Sequence, residues 1–270
     1  MEYPKVSVGV ASLSESLWVP FQFNQGGIYM SLWQKVDERF RIANSLMWAA
    51  DSTRPAMEIV YRELFLRDLS RLGLEDLYYP VGSAANHSLL YLITRCFTEL
   101  PVSRVLEMGA GQSSILMSQL NDRLQREAVI TTVEHDPQWA TRIQDQVKHR
   151  VEIAALVPKT IDGHSISHYG GEYFDSSALY DFVLVDGPPA HGNKDMALNR
   201  IGAVELLEKN LAESFVLIVD DAERRGEDVL VGLIRRKLRK DNRDFKETAI
   251  MAAKQQHVFA AGHCSGAVFF

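Results

Sequence analysis

The chain has 270 residues, is 46% hydrophobic and carries a formal net charge of −6. That length supports one sizeable α/β domain with a smaller segment beside it, and the acidic balance argues against nucleic acid or an anionic membrane as partner. No apolar run is long enough to span a bilayer, and Met1–Lys5 lacks the basic and apolar regions of a secretory signal, so a cytoplasmic location is the default expectation.

Residues 1–80 read differently from the rest and are expected to form an amino-terminal extension, with 81–270 as the main domain. Residues 6–10 suit a short strand. Residues 17–29 are aromatic-rich, with Trp18, Phe21, Phe23 and Tyr29, and contain Gly26-Gly27. Residues 31–50 carry apolar side chains at helical spacing, and Pro55 opens a second helix that Gly73 closes after Leu72. Aromatics at this spacing are core in most folds; here they are also placed to cover a ligand site as a lid, or to make a homodimer contact.

From residue 82 the pattern becomes regular. An apolar helix is expected over 88–100, holding Cys96. With Cys264 it makes the chain's cysteine complement, and neither has metal spacing; both read as buried thiols. Strands are expected over 104–106, 129–133, 151–155, 181–185 and 215–219. Helices are expected over 113–124, 137–148, 197–210 and 227–240. The last helix contains the basic run 235–240, read as a solvated face. Residues 246–252 and 257–270 are strand-like, with a turn near Lys254-Gln255-Gln256. This alternation predicts an α/β fold: a doubly wound, mostly parallel, seven-stranded Rossmann-like sheet with an antiparallel strand at the carboxyl-terminal end.

The most informative stretch is Val105-Leu106-Glu107-Met108-Gly109-Ala110-Gly111. An apolar strand meets an acid, then two glycines, then a helix, which is the shape of a nucleotide-binding turn. Ser114 stands where a dinucleotide fingerprint has its third glycine. Glu107 would repel a pyrophosphate but can hold an ammonium. The loop therefore suits S-adenosylmethionine, which carries an ammonium and a ribose, better than NAD. Glu134 ends the second strand, an acid about 20 residues past the loop, the place for a carboxylate that accepts ribose hydroxyls. His135 lies beside it, and Asp136 reads as the cap of the helix opened by Pro137. Ala110 in the loop, Ser113 at the helix start, His135 and Asp186 at the end of the fourth predicted strand complete the expected cofactor contacts.

Asp186 ends the fourth predicted strand, aimed at the same site, and Gly187-Pro188-Pro189 shape the loop after it. His191 follows as a candidate general base. Asp220 and Asp221 end the fifth. Three carboxylates near one point are costly unless neutralised. A divalent cation such as Mg²⁺ held by Asp186, Asp220 and Asp221 would neutralise them. The other expectation is that an aspartate caps the next helix and that Arg224, Arg225 or Lys194 relieves the charge.

Together these motifs resemble the class I S-adenosylmethionine-dependent methyltransferases over about residues 85–270. The resemblance rests on Glu107-Met108-Gly109-Ala110-Gly111, Glu134 and Asp186-Gly187-Pro188-Pro189. It implies that Glu107, Gly109 and Gly111 contact the methionine part and Glu134 the ribose. Val133-Glu134-His135-Asp136 and Val185-Asp186-Gly187-Pro188-Pro189 are similar to bacterial methyltransferases that act on sugars. The aspartate trio is similar to metal-dependent O-methyltransferases of catechols and macrolide sugars. The expected activity is methyl transfer to an oxygen of a small-molecule or sugar-like acceptor, with Asp186, His191 and Asp221 as candidates for removing its proton. A non-catalytic cofactor-binding or assembly protein, and an NAD-dependent oxidoreductase, are the alternatives.

Overall fold

The structure, a computed structural model, describes residues 51–80, 82, 84–171, 173–191 and 195–270. The expected strand 6–10, aromatic segment 17–29 and helix 31–50, with the lid or dimer contact assigned to them, lie outside the described residues.

Helix α1 (Met57–Leu72) ends as its sequence predicts: Gly73 takes a left-handed φ of 64° and returns its amide to the Leu69 and Ser70 carbonyls. Helix α2 (His87–Glu99) is capped by Asn86, whose side chain accepts from the Leu89 amide. Glu58 ties the two helix starts together, accepting from the His87 amide at 2.6 Å and from Asn86 Nδ2 at 2.7 Å.

The alternating region then runs β1 (Arg104–Met108), α3 (Gln112–Leu124), β2 (Val129–Glu134), α4 (Pro137–Gln144) and β3 (Arg150–Ile153). A hairpin follows, β4 (Leu156–Ile161) and β5 (His164–Tyr169), then β6 (Tyr180–Val185), a 3-10 stretch (Asn199–Glu208) and β7 (Leu211–Val219). Helix α5 (Arg225–Lys240), β8 (Lys246–Met251), β9 (Gln255–Ala261) and a second 3-10 stretch (Gly262–Phe269) complete the chain.

The main sheet has seven strands in the order β3-β2-β1-β6-β7-β9-β8. The five strands from β3 to β7 in that order are parallel; β9 runs antiparallel to both β7 and β8. This is the fold class that the sequence predicts. The central strands are apolar on both faces, as a doubly covered parallel sheet requires. Val105, Phe182, Leu184 and Val216 pack under α1, α2 and α3. Leu106, Met108, Val183 and Val219 pack under α5, the 3-10 stretch and the hairpin. Residues 57–80, read from sequence as part of the extension, bury Phe65, Leu69 and Tyr78 in the same core as α2.

Three local expectations change. The β4–β5 hairpin falls where no element was expected; Asp162 and Gly163 form its two-residue turn with φ of 48° and 77°. The helix expected over 197–210 is a 3-10 stretch. The strand expected over 257–270 stops at Ala261, because Gly262 turns left-handed at φ 56° and the chain coils into 3-10 geometry. No helix among the described residues is long and apolar enough to cross a membrane.

The place of α1 in the core can be checked directly. Phe65 is fully buried and meets Tyr78 edge-on at 5.5 Å, whereas Ile59 is exposed. Phe65→Ala should lower the unfolding free energy by about 3–5 kcal/mol in urea denaturation. Ile59→Ala should change it by less than about 0.5 kcal/mol.

Candidate active site

The chain runs from β1 outward through β2 to β3 on one side, and from β6 to β7 on the other. The order reverses between β1 and β6, and the crevice at their carboxyl ends is where an open α/β sheet binds its ligand. The two glycine turns meet there. Gly109, at φ 96°, sits so close to the next turn that a Cβ would lie 3.0 Å from the Asp186 carbonyl carbon and the Gly187 nitrogen. A Cβ on Gly187 would in turn lie 2.8 Å from Gly109 Cα. Both positions therefore exclude side chains. Gly111 differs: its backbone is extended, and a Cβ there would meet nothing within 4 Å. That open face beside the α3 amino terminus is the space a ligand can enter.

Glu134 closes one side. Its Oε2 accepts from the Ala110 amide at 3.1 Å and its Oε1 from the His135 and Asp136 amides at 2.7 and 2.9 Å. His135 Nδ1 lies 2.6 Å from the same Oε1. The carboxylate is locked against the glycine loop. Asp136 caps α4 as expected, accepting from the Gln138 and Trp139 amides, and Trp139 Nε1 donates to the Ala110 carbonyl at 2.7 Å.

Glu107 lies behind the loop and is fully buried. Its Oε2 accepts from Ser114 Oγ at 2.6 Å and Thr132 Oγ1 at 2.7 Å, and its Oε1 is buried without a hydrogen-bond partner. Ser114 Oγ also accepts from the Gly111 amide at 3.0 Å, so the carboxyl braces the loop from beneath. Ser113 is buried at the start of α3 beside it. Burial pushes the Glu107 carboxyl up to about 7, against the pull of the surrounding hydroxyls.

On the other side the three aspartates come together as expected: one oxygen from each of Asp186, Asp220 and Asp221 lies within 4.8 Å of the others. Cations already thread the group. Arg200 Nη2 donates to Asp186 Oδ1 at 3.2 Å, and its Nη1 to Asp221 Oδ2 at 3.1 Å and the Asp220 carbonyl at 3.3 Å. Its Nε donates to the Pro188 carbonyl at 3.2 Å, and Glu227 Oε1 stands 3.4 Å from Nη1. Arg224 Nη1 lies 2.9 Å from Asp221 Oδ2. Lys254 Nζ lies 3.1 Å from Asp221 Oδ1 and 3.4 Å from Asp220 Oδ2. Gln256 Nε2 donates to Asp220 Oδ1 at 2.7 Å.

Asp186 is the most accessible of the three, and its carboxyl is raised well above the usual range, first by burial and then by Asp220. Asp221 is held below that range by Arg200, Lys254 and Arg224 despite its burial. His191 is exposed on the loop after Pro189, and among the described residues nothing joins it to the aspartates. Arg200, Lys254, Gln256 and Glu227 were not anticipated. Only Arg200 left a signal: it shares a helical face with Ala203, Val204 and Leu207, an unusual place for a charge without buried partners.

No family model matches the chain, and no curated protein does. Solved structures do resemble it. A methyltransferase of Podospora anserina, PaMTH1, bound to S-adenosylhomocysteine, is 12% identical over 88% of this chain and 100% of its own, at a TM-score of 0.42. An O-methyltransferase of Bacillus cereus is 14% identical over 74% and 91%, at 0.43. The O-methyltransferase TomG of Streptomyces achromogenes, from tomaymycin synthesis, is 17% identical over 85% and 97%, at 0.41. Likenesses this distant carry no weight for the chemistry of this chain. By its own strand order and glycine turn, the chain has a doubly wound, Rossmann-like α/β fold.

The buried Glu107 makes a pH prediction. Its folded value of about 7 lies above the 4.5 of an unfolded glutamate, so the folded state binds the extra proton between those values and loses stability as pH rises through them. Glu107→Gln should remove up to about one proton from this dependence, or about 1.4 kcal/mol per pH unit. Urea denaturation of both proteins from pH 5 to 8 checks it; parallel curves would show that Glu107 does not titrate there.

Proposed function

We propose that this protein is an S-adenosylmethionine-dependent methyltransferase that methylates an oxygen of a small-molecule or sugar-like acceptor. The observation that carries the reading is the crevice between β1 and β6. The open face at Gly111 and the locked Glu134 line it on one side, and Asp186, the most accessible of the three aspartates, lines it on the other. In this reading Glu134 accepts the ribose hydroxyls, and the Gly109–Gly111 backbone lies against the methionine portion. The buried carboxyl of Glu107, with one oxygen unpaired, favours a cationic ligand, whose field would ease its ionisation.

Bound S-adenosylmethionine supplies an electrophilic methyl group. The protein's own part is to orient the acceptor and take its proton. Asp186 is the base: its raised carboxyl is more basic than a free aspartate, and Arg200 fixes its other oxygen. Asp221, clamped by three cations, is a positioning residue. His191 stands outside this arrangement. The acids are already met by Arg200, Lys254 and Arg224, so divalent-metal assistance does not fit.

Glu134→Ala should weaken S-adenosylhomocysteine binding by roughly 2 kcal/mol or more in calorimetry. Gly111→Val should abolish binding with little change in melting temperature, since the added side chain enters open space. Binding of NADH in preference to S-adenosylhomocysteine would reject the reading.

For chemistry, Asp186→Asn should keep cofactor affinity and lose transfer by about 10²-fold or more, with any hydroxylated acceptor that wild type turns over. Full transfer by this variant would remove Asp186 as the base. Cofactor binding with no transfer across an acceptor panel would favour a non-catalytic protein.

A further inference from the structure

The cation that sits among the aspartates is supplied by the chain. Lys254 Nζ faces three oxygens: the Ala84 carbonyl at 3.1 Å, Asp221 Oδ1 at 3.1 Å and Asp220 Oδ2 at 3.4 Å. The ammonium donates to the Ala84 carbonyl and to Asp220, and its charge pairs with Asp221 Oδ1. The three ligands are hard oxygens, two of them anionic, which is also the donor set that Mg²⁺, Mn²⁺ and Ca²⁺ select. Lys254 is itself largely buried, and Asp220 and Asp221 are buried with it. The remaining aspartate oxygens are met from elsewhere, by Gln256 on Asp220 and by Arg200 and Arg224 on Asp221.

We infer that the Lys254 ammonium is the resident cation of this cluster, filling an oxygen cage that a divalent ion would otherwise occupy and so keeping such ions out. A divalent ion binds oxygens at about 2.0–2.6 Å, and it cannot share the cage with an ammonium at its centre. Removing the ammonium leaves two buried carboxylates and a carbonyl converging on one point, with a net loss of one positive charge. Asp220 and Asp221 then repel each other more strongly, and an added cation relieves that repulsion. The aspartate pattern that suggests a metal in the sequence is thus the outer half of an ion-pair network whose inner half is Lys254. This inference concerns cation binding alone and stands or falls independently of methyl transfer.

Mn²⁺ binding followed by electron paramagnetic resonance tests it on the full chain. Wild type should take up no stoichiometric Mn²⁺ at millimolar concentration, and its melting temperature should be the same in Mn²⁺ and in chelator. Lys254→Ala should melt lower in chelator, bind about one equivalent of Mn²⁺ and regain stability with it. Lys254→Arg, which keeps the charge, should bind none, and Lys254→Ala with Asp221→Asn should lose the acquired site. One equivalent of Mn²⁺ on wild type, removed by Asp221→Asn, would overturn the inference; so would a folded Lys254→Ala protein that binds none. Should Lys254→Ala be unfolded in chelator, Mn²⁺ is expected to restore its native circular dichroism, and failure to do so counts against the proposal.

Discussion

The guanidinium of Arg200 joins the ends of β6 and β7. It reaches Asp186 and the Pro188 carbonyl from one strand, and the Asp220 carbonyl and Asp221 from the other, with Glu227 of α5 alongside. Four acids converging in a protein interior would otherwise protonate or splay apart, since desolvation and mutual repulsion both oppose their charge. The planar fork of arginine suits the task better than a point charge, because its donors diverge to several acceptors at once. The consequence is a division of labour. Asp221 is held below the usual carboxylate range by the cations around it, while Glu227 is pushed up to about 7 by burial. Asp186 shares Arg200 on one oxygen and remains the acid best placed to exchange a proton.

The glycine-loop half of the crevice rests on a different device, a chain of neutral hydroxyls. His149 meets Thr132 at 2.9 Å, Thr132 donates to Glu107, Ser114 donates to the same oxygen, and the Gly111 amide donates to Ser114. Burial holds the His149 imidazole down to about 4, so this support does not charge near neutrality. The glycine loop is therefore braced by hydrogen bonds alone, and the net charge beneath it is set by Glu107. One half of the crevice is tuned by a buried carboxyl without a cation beside it and the other by an ion cluster.

The legibility of these halves in the sequence follows from how local their causes are. The glycine loop, Glu134 and the Asp136 cap depend on spacing within one strand–turn–helix unit, and all three fall where the sequence puts them. The aspartate ends of β6 and β7 are equally local. The β4–β5 hairpin had a readable signal, since Asp162-Gly163 is the dipeptide of a tight hairpin turn, but its flanking residues are too polar to alternate clearly. Lys254 had none: a lysine in a turn is ordinary until the fold places it beside two acids. Strand ends show their acids in sequence, while the cations that meet them arrive from distant segments.

The direction of β9 explains how those cations arrive. In a parallel sheet every strand begins at the edge opposite the ligand crevice, so a strand's first residues cannot reach it. Strand β9 runs antiparallel to β7, and its His257 pairs with Val219, one residue before Asp220. The β8–β9 turn therefore lands on the carboxyl edge of the parallel strands, bringing Lys254 and Gln256 to the aspartates. The same turn brings the Ala253 amide to Glu58 of α1, and Gln256 to Asn86 and Ser88 at the start of α2. Reversing one strand thus closes the acid cluster and ties it to the helices at the far side of the crevice. A fully parallel sheet of the same sequence order would leave Asp220 and Asp221 without two of their partners, and the acids would then need a cation from solution.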